Sequence, residues 1–389
     1  MRKRLLSAAL LLLAAFGARA MSVPISPQMM RFSSSWTANG ENFDGVARIF
    51  YDNDGSVTDG SWRLCSGTLL SGGQYILTAA HCADDFNVME IQFGVNNNVA
   101  TATRGAASAT VHPNWDGTLK HGNDIALIKL DSAVSTIQPF RLSTTNDVGK
   151  LMMMMGYGRT TNGWSDAAPS WGDGAWGHWG INTFDTTTQR FMSAVTAAGI
   201  DDTGLGTWGN SDGEEYVADY DNGTDLNNTL GRIPRIRILH LLGGETVELN
   251  LGPALNSGTG VSFESLIAPG DSGGGDFIWT GTEWLLSGVH SWGWEFCQGR
   301  IDPSCDFSTT NSSSYGDLMG STAVFSHVDW INSIIGSREF RRLERPLNPN
   351  DVNLTLLMTV PEPGSLALAL PGLLAIFLLP GRRRFRREA

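Results

Sequence analysis

The amino-acid sequence predicts an all-β fold closed by one short C-terminal helix. Between residues 45 and 158, short apolar or alternating runs are broken by Gly, Asn and Asp. Runs of the same kind return between residues 235 and 289, and only residues 328–335 place their apolar side chains at helical spacing. Period-two alternation buries one face of a strand, whereas steps of three and four residues draw one stripe along a helix.

In chain order, the first strands are expected at residues 47–51, 68–70, 75–78 and 125–130, which together make an all-β unit. Residues 160–260 change character. Trp164, Trp171, Trp176 and Trp179 stand among glycines, and an acidic stretch follows from Asp212 to Asp225. Enlarged loops are expected there, with the tryptophans packing over the β-structure. Strands resume at 235–242, 277–279 and 284–289. The helix aligns Val328, Ile331, Ile334 and Ile335 and stops at Gly336.

The ends differ from this body. Arg2, Lys3 and Arg4 precede the short apolar run 5–16 and the Ala18-Arg19-Ala20 site, a pattern that reads as an export signal over residues 1–20 for a signal peptidase. Residues 21–44 form an N-terminal segment that a propeptide would occupy, 45–340 the folded domain, and 341–359 a linker with Pro346, Asn348, Pro349 and Asn350. Residues 360–389 hold Pro361-Glu362-Pro363, a short apolar run and five arginines from Arg382 to Arg387. That run is shorter than the roughly 20 residues that span a bilayer comfortably. Its arginines would stay cytoplasmic.

The chain of 389 residues is 41% hydrophobic and 17% charged, enough apolar material for a full core. Setting aside the two basic ends leaves 18 basic and 37 acidic residues. Such a body is repelled by nucleic acid, which is excluded as a partner. Export permits disulfides. The four cysteines allow three pairings, of which Cys65–Cys82 and Cys297–Cys305 are preferred because each encloses a short segment. Zinc is the competing use, without any CxxC spacing to support it.

Amide hydrolysis at neutral pH needs a nucleophile, a base, a group that orients the base, and donors for the oxyanion. The segments Cys65-Ser66-Gly67-Thr68-Leu69-Leu70 and Leu77-Thr78-Ala79-Ala80-His81-Cys82 carry a histidine. Val111-His112-Pro113-Asn114-Trp115 and Asn123-Asp124-Ile125-Ala126-Leu127-Ile128-Lys129-Leu130 carry an aspartate, and Gly270-Asp271-Ser272-Gly273-Gly274 a serine. In this order and these contexts the segments resemble the trypsin/chymotrypsin family of serine proteases over roughly residues 45–158 and 262–335. His112, His178, His240, His290 and His327 lack such context and read as surface or packing residues.

The resemblance implies two packed six-stranded antiparallel Greek-key barrels, with His81 and Asp124 from the first and Ser272 from the second. It implies a disulfide like Cys65–Cys82 stapling the histidine loop. It also implies His81 as general base, Asp124 as its orienter, Ser272 as nucleophile, and the N–H groups of Gly270 and Ser272 as the oxyanion hole. Ser291-Trp292-Gly293 resembles the strand that pairs with substrate. Leu266, six before the nucleophile, would lie at the base of the specificity pocket and favour apolar or small side chains. Ala268 stands where the family has a cysteine, and no Ile-Val-Gly-Gly run precedes Ala47, which leaves open how Asp271 is satisfied.

The implied activity is that of a monomeric serine endopeptidase on polypeptide substrates, without a cofactor. The rival reading is a catalytically silent surface or matrix-binding protein on the same scaffold. The alternating carboxylates from Asp219 to Asp225 are compatible with a calcium loop, although a solvated acidic loop explains them as well. The Pro361-Glu362-Pro363 element resembles the PEP-CTERM sorting signal. That implies an exosortase-type partner, transient inner-membrane anchoring, and final display or release outside the cell.

Overall fold

A computed structural model describes residues 27–34, 36–52, 62–160, 163, 173–198, 215–233, 239–240, 246–247, 255, 258, 260–295 and 313–336. The export signal, the linker, the sorting element, Cys297, Cys305, Trp164 and Trp171 lie outside these residues. No helix among the described residues is long and apolar enough to cross a membrane.

Six antiparallel strands close into a barrel: β1 (Val46–Asp52), β2 (Arg63–Leu69), β3 (Tyr75–Thr78), β4 (Val88–Phe93), β5 (Ala102–Val111) and β6 (Ala126–Leu130). They pair in the order β1-β2-β3-β6-β5-β4, and β4 returns to β1. Closure leaves no barrel edge. Ile49, Leu69, Ile76, Leu77, Ile91, Phe93 and Ile128 are fully buried. Branched and aromatic side chains suit such pleated positions.

The second half is built on β7 (Leu151–Gly156), β8 (Gly177–Thr183), β9 (Glu215–Asp219), β10 (Gly275–Trp279), β11 (Trp284–Trp294) and β12 (Leu318–Ala323). With three two-residue strands these make a nine-stranded sheet in the order Arg31–Phe32, β8, β7, β10, β11, β12, β9, Thr186–Thr187, and Arg141–Leu142 pairs parallel to β11. The end strands Arg31–Phe32 and Thr186–Thr187 do not pair with each other among the described residues, so the sheet does not close there as the barrel does. Phe43, Phe140, Phe277 and Trp284 meet ring to ring between the halves, with centroids 4.5–5.7 Å apart. Their contact holds the two layers in register.

Among the described residues, two helices of two turns or more flank the sheet, and a third, Thr229–Arg232, is a single turn. Helix α1 (Thr188–Ala198) buries Phe191, Val195 and Ala198, and α2 (Val328–Ile335) buries Ile331 and Ile335. Gly336, at φ +82°, ends α2 and donates its N–H to the Asn332 carbonyl at 3.0 Å.

Several expectations change. The described residues within 160–260 include β8, α1 and β9. The steps Phe191, Val195, Ala198 are helical, but surrounding Thr and Ala dilute the stripe, and the tryptophans and glycines nearby suggest irregular chain. Residues 27–34 and 36–44 pack on the folded body: Phe32 and Phe43 are buried, and Arg31–Phe32 pairs with β8. Trp179 stacks on Trp36 with centroids 5.7 Å apart, while Arg31 lies over the Trp176 ring at 4.9 Å. Of the expected strand at 235–242, only Leu239–His240 is described, paired with Thr246–Val247.

Candidate active site

β3 leads through buried Ala79 and Ala80 into a single 3-10 turn, Ala80–Cys82, that carries His81. The small alanines let the turn pack flush on the barrel. A Cys65–Cys82 disulfide, with Cα atoms 6.3 Å apart, ties this turn to β2. Asp124 follows Asn123, whose φ of +59° is one that asparagine tolerates. The Asp124 carboxylate is fully buried and accepts three hydrogen bonds. These come from His81 N–H at 2.9 Å, His81 Nδ1 at 2.8 Å and Ser291 Oγ at 2.6 Å. Thr322 of β12 donates to the Asp124 carbonyl at 3.1 Å, so the second half also grips this residue.

A carboxylate oxygen against Nδ1 places the ring proton there and leaves Nε2 as the basic nitrogen. Burial opposes protonation of His81, but the hydrogen bond and charge of Asp124, with the charge of Asp84, outweigh it and raise the imidazole pKa.

Ser272 reaches the same place from the second half. Its carbonyl accepts the N–H of Ser66 at 2.8 Å and lies 3.7 Å from Cys82 Sγ. Gly273, at φ +79°, packs so closely that a Cβ there would fall 2.0 Å from Thr78 Oγ1 and 2.4 Å from the Ser66 carbonyl. Only glycine allows this approach. No hydrogen bond joins Ser272 Oγ to His81 among the described residues. In free enzymes such contacts commonly tighten only around substrate.

Gly270 has φ +102°, and neither its N–H nor that of Ser272 meets an acceptor among the described residues. The loop before them is braced from the barrel: Ser66 Oγ donates to the Gly270 carbonyl at 3.0 Å and accepts the Tyr157 N–H at 2.9 Å. Asp271 takes the N–H groups of Gly158 at 2.7 Å and Ala268 at 3.0 Å. Two backbone donors thus serve this carboxylate, the point that the missing activation run leaves open.

The residues expected to contact substrate divide. Ser291 turns its hydroxyl to Asp124. Trp292 is buried and donates Nε1–H to Glu215 Oε1 at 3.2 Å, while Gly293 is exposed. Leu266 and Ala268 line a cavity with Met154, Met155, Asp271 and His290, and Ser291, Trp292 and Gly293 are not in its lining. Sequence reasoning missed Glu215. Fully buried under Trp292, it is pushed up to about 8, mainly by burial, against the hydrogen bonds of Trp292 and Thr188, with the charge of Asp124 adding to the rise. One Glu beside another in an acidic stretch, on an unrecognised strand, offered no signal of burial.

For calcium, Asp219 and Asp221 are buried near Glu264. Burial raises their carboxyl pKa values, that of Asp221 to about 12, and the charges of Asp185 and Glu264 add to both, with Asp219 acting on Asp221 as well. The only group of three His, Cys, Asp or Glu with ligand atoms in mutual reach among the described residues is Cys65, His81 and Cys82, two of which form the disulfide.

The family model for trypsin matches residues 51–172. That segment is trypsin-like. It holds His81 and Asp124, while Ser272 lies beyond it. Snake venom serine protease 3 of Protobothrops jerdonii is 39% identical over 108 residues, 26% of this chain and 41% of its own. Chymotrypsin-C of Bos taurus is 32% identical over 120 residues, 28% of this chain and 44% of its own. The chain thus spans about two fifths of the length of the curated relatives it matches. The solved structure of HL collagenase aligns over 76% of this chain and 94% of its own, at 18% identity and a TM-score of 0.45.

Proposed function

We propose that the protein is a serine endopeptidase that cleaves polypeptides through an acyl-enzyme, with His81, Asp124 and Ser272 as its triad. The observation that carries this is the buried Asp124 carboxylate holding His81 at 2.8 Å, on a turn against which the Ser272 loop packs through Gly273. The trypsin-like segment supports it from the sequence side. His81 Nε2 takes the Ser272 proton as Oγ attacks the carbonyl carbon, then returns it to the leaving amine. Asp124 fixes the tautomer and balances the imidazolium. The N–H groups of Gly270 and Ser272 take the charge on the carbonyl oxygen.

In this reading the nine-stranded sheet stands for the second barrel, and substrate lies extended along Ser291-Trp292-Gly293. Leu266 favours apolar or small side chains before the cut. Export through residues 1–20 and sorting through Pro361-Glu362-Pro363 place the enzyme outside the cell. Hydrolysis of casein or a fluorogenic peptide by the purified protein, with Ser272→Ala as control, tests the assignment. Activity abolished by the substitution is expected; equal activity in both proteins, or none in either, contradicts it.

A further inference from the structure

We propose that His290 is a positioning residue for the oxyanion-binding N–H of Ser272, held in that task by Asp276. The inference rests on the endopeptidase reading above. His290 lies in β11, directly before Ser291, with 1% of its surface exposed. The peptide plane that carries the Ser272 N–H carries the Asp271 carbonyl at its other end. That oxygen accepts the Gly274 N–H at 2.8 Å and faces His290 Nδ1 at 3.2 Å. A carbonyl can only accept, so Nδ1 bears a proton. The main chain of His290 grips the same loop, its carbonyl taking the Gly273 N–H at 2.8 Å and its own N–H reaching the Gly274 carbonyl at 2.9 Å.

The other ring nitrogen, Nε2, lies 2.8 Å from Asp276 Oδ1, and Asp276 is fully buried. A register shift between Asp276 and Phe277 in the β10–β11 pairing sets the carboxylate beside the ring. With Nδ1 donating to a carbonyl, a proton held between Nε2 and Asp276 Oδ1 makes the ring, in this proposal, an imidazolium paired with Asp276. Burial opposes that charge, and Asp276 and Asp271 outweigh it. Glycines leave the space: a Cβ on Gly274 would fall 2.8 Å from His290 Nδ1, and one on Gly288 2.4 Å from Asp276 Oδ2.

Two apolar side chains would pack this position at no greater cost than a buried ion pair. What the pair adds is a cation at the carbonyl end of the Asp271–Ser272 peptide. It fixes the plane, keeps the N–H on the opposite side, and draws electron density away from that hydrogen. A donor set in place before reaction stabilises the transition state more than the bound substrate.

Steady-state kinetics on a peptide amide, with inhibition by a peptide boronate as transition-state analogue, tests this. His290→Val/Asp276→Val removes both charges together and avoids an unpaired buried carboxylate. It is expected to lower kcat about 10- to 100-fold and weaken boronate binding in parallel, with KM within about twofold, less than the loss of a whole oxyanion donor. His290→Asn/Asp276→Val returns an amide donor near the Nδ1 position and should recover part of kcat. Asp276→Asn keeps the ring and removes the charge. It should lower kcat about three- to tenfold at constant KM, and it decides the matter if the double variants do not fold. A wild-type kcat in the folded double variant or in Asp276→Asn, or a change confined to KM, overturns the proposal. An inactive wild-type protein overturns instead the endopeptidase reading on which it rests.

Discussion

At the scale of residues, the candidate site is a set of buried groups whose charges depend on one another. Neutral His81 is the form that accepts a proton. Because Asp124 and Asp84 together raise its pKa against burial, kcat/KM should fall with decreasing pH through a limb above the ordinary histidine value of about 6.5. Asp84 is exposed and accepts Trp115 Nε1–H, with no hydrogen bond to His81, Asp124 or Ser272, so Asp84→Asn should move that limb to lower pH with little change in the plateau; an unmoved limb in the pH–rate profile contradicts this attribution. Glu215 gives the opposite kind of dependence. With a folded value of about 8 against an ordinary 4.5, it favours the folded state fully below pH 4.5. That contribution is lost as pH rises towards 8, because the unfolded chain releases this proton more readily. The loss is on the order of a few kcal/mol. Glu215→Gln should match the wild-type melting temperature near pH 4 and exceed it above pH 8. Parallel melting curves across that range would show that Glu215 does not titrate in this way.

At the scale of elements, the proposed activity depends on how the His81 turn and the Ser272 loop meet. Gly273→Ala puts a methyl group within 2.0 Å of Thr78 Oγ1 at a φ of +79°. A displacement near 1 Å of reacting groups costs about 100-fold. The variant should lose at least that in kcat/KM while its far-ultraviolet spectrum stays native; near wild-type activity would mean that the loop does not need this approach. The Cys65–Cys82 bond closes a separation of 17 residues. Replacing both cysteines by serine should cost about 3 kcal/mol in denaturant unfolding, and a change below about 1 kcal/mol would assign the staple a local role only. Legibility in the sequence follows the same lines. Tyr75–Thr78 and Val328–Ile335 were readable because each is uniformly apolar or regularly spaced. β5 was not, since its Ala, Thr and Ser residues alternate weakly, and neither was β7, whose four consecutive methionines show no period. The motifs around His81, Asp124 and Ser272 were readable as local text. Glu215, Asp276 and the role of His290 were not, because each depends on a partner brought in by tertiary pairing.

At the scale of the molecule, a closed barrel carrying His81 and Asp124 packs on a sheet carrying Ser272, with ties across the seam through Ser66, Ser291 and Thr322. Distributing the site over two rigid layers lets each group be held by its own scaffold before substrate arrives. Cleavage of a peptide library should occur after apolar or small residues if Leu266 governs the pocket, and cleavage confined to Arg or Lys would remove that role from it. The central claim, that Ser272 is a nucleophile activated by His81, is tested most directly by labelling the purified protein with a fluorophosphonate probe and mapping the adduct by peptide mass. The account predicts one equivalent of label on Ser272, much slower labelling in His81→Ala, and none in Ser272→Ala. Label of equal extent in Ser272→Ala, or an adduct mapped to another residue, would contradict it.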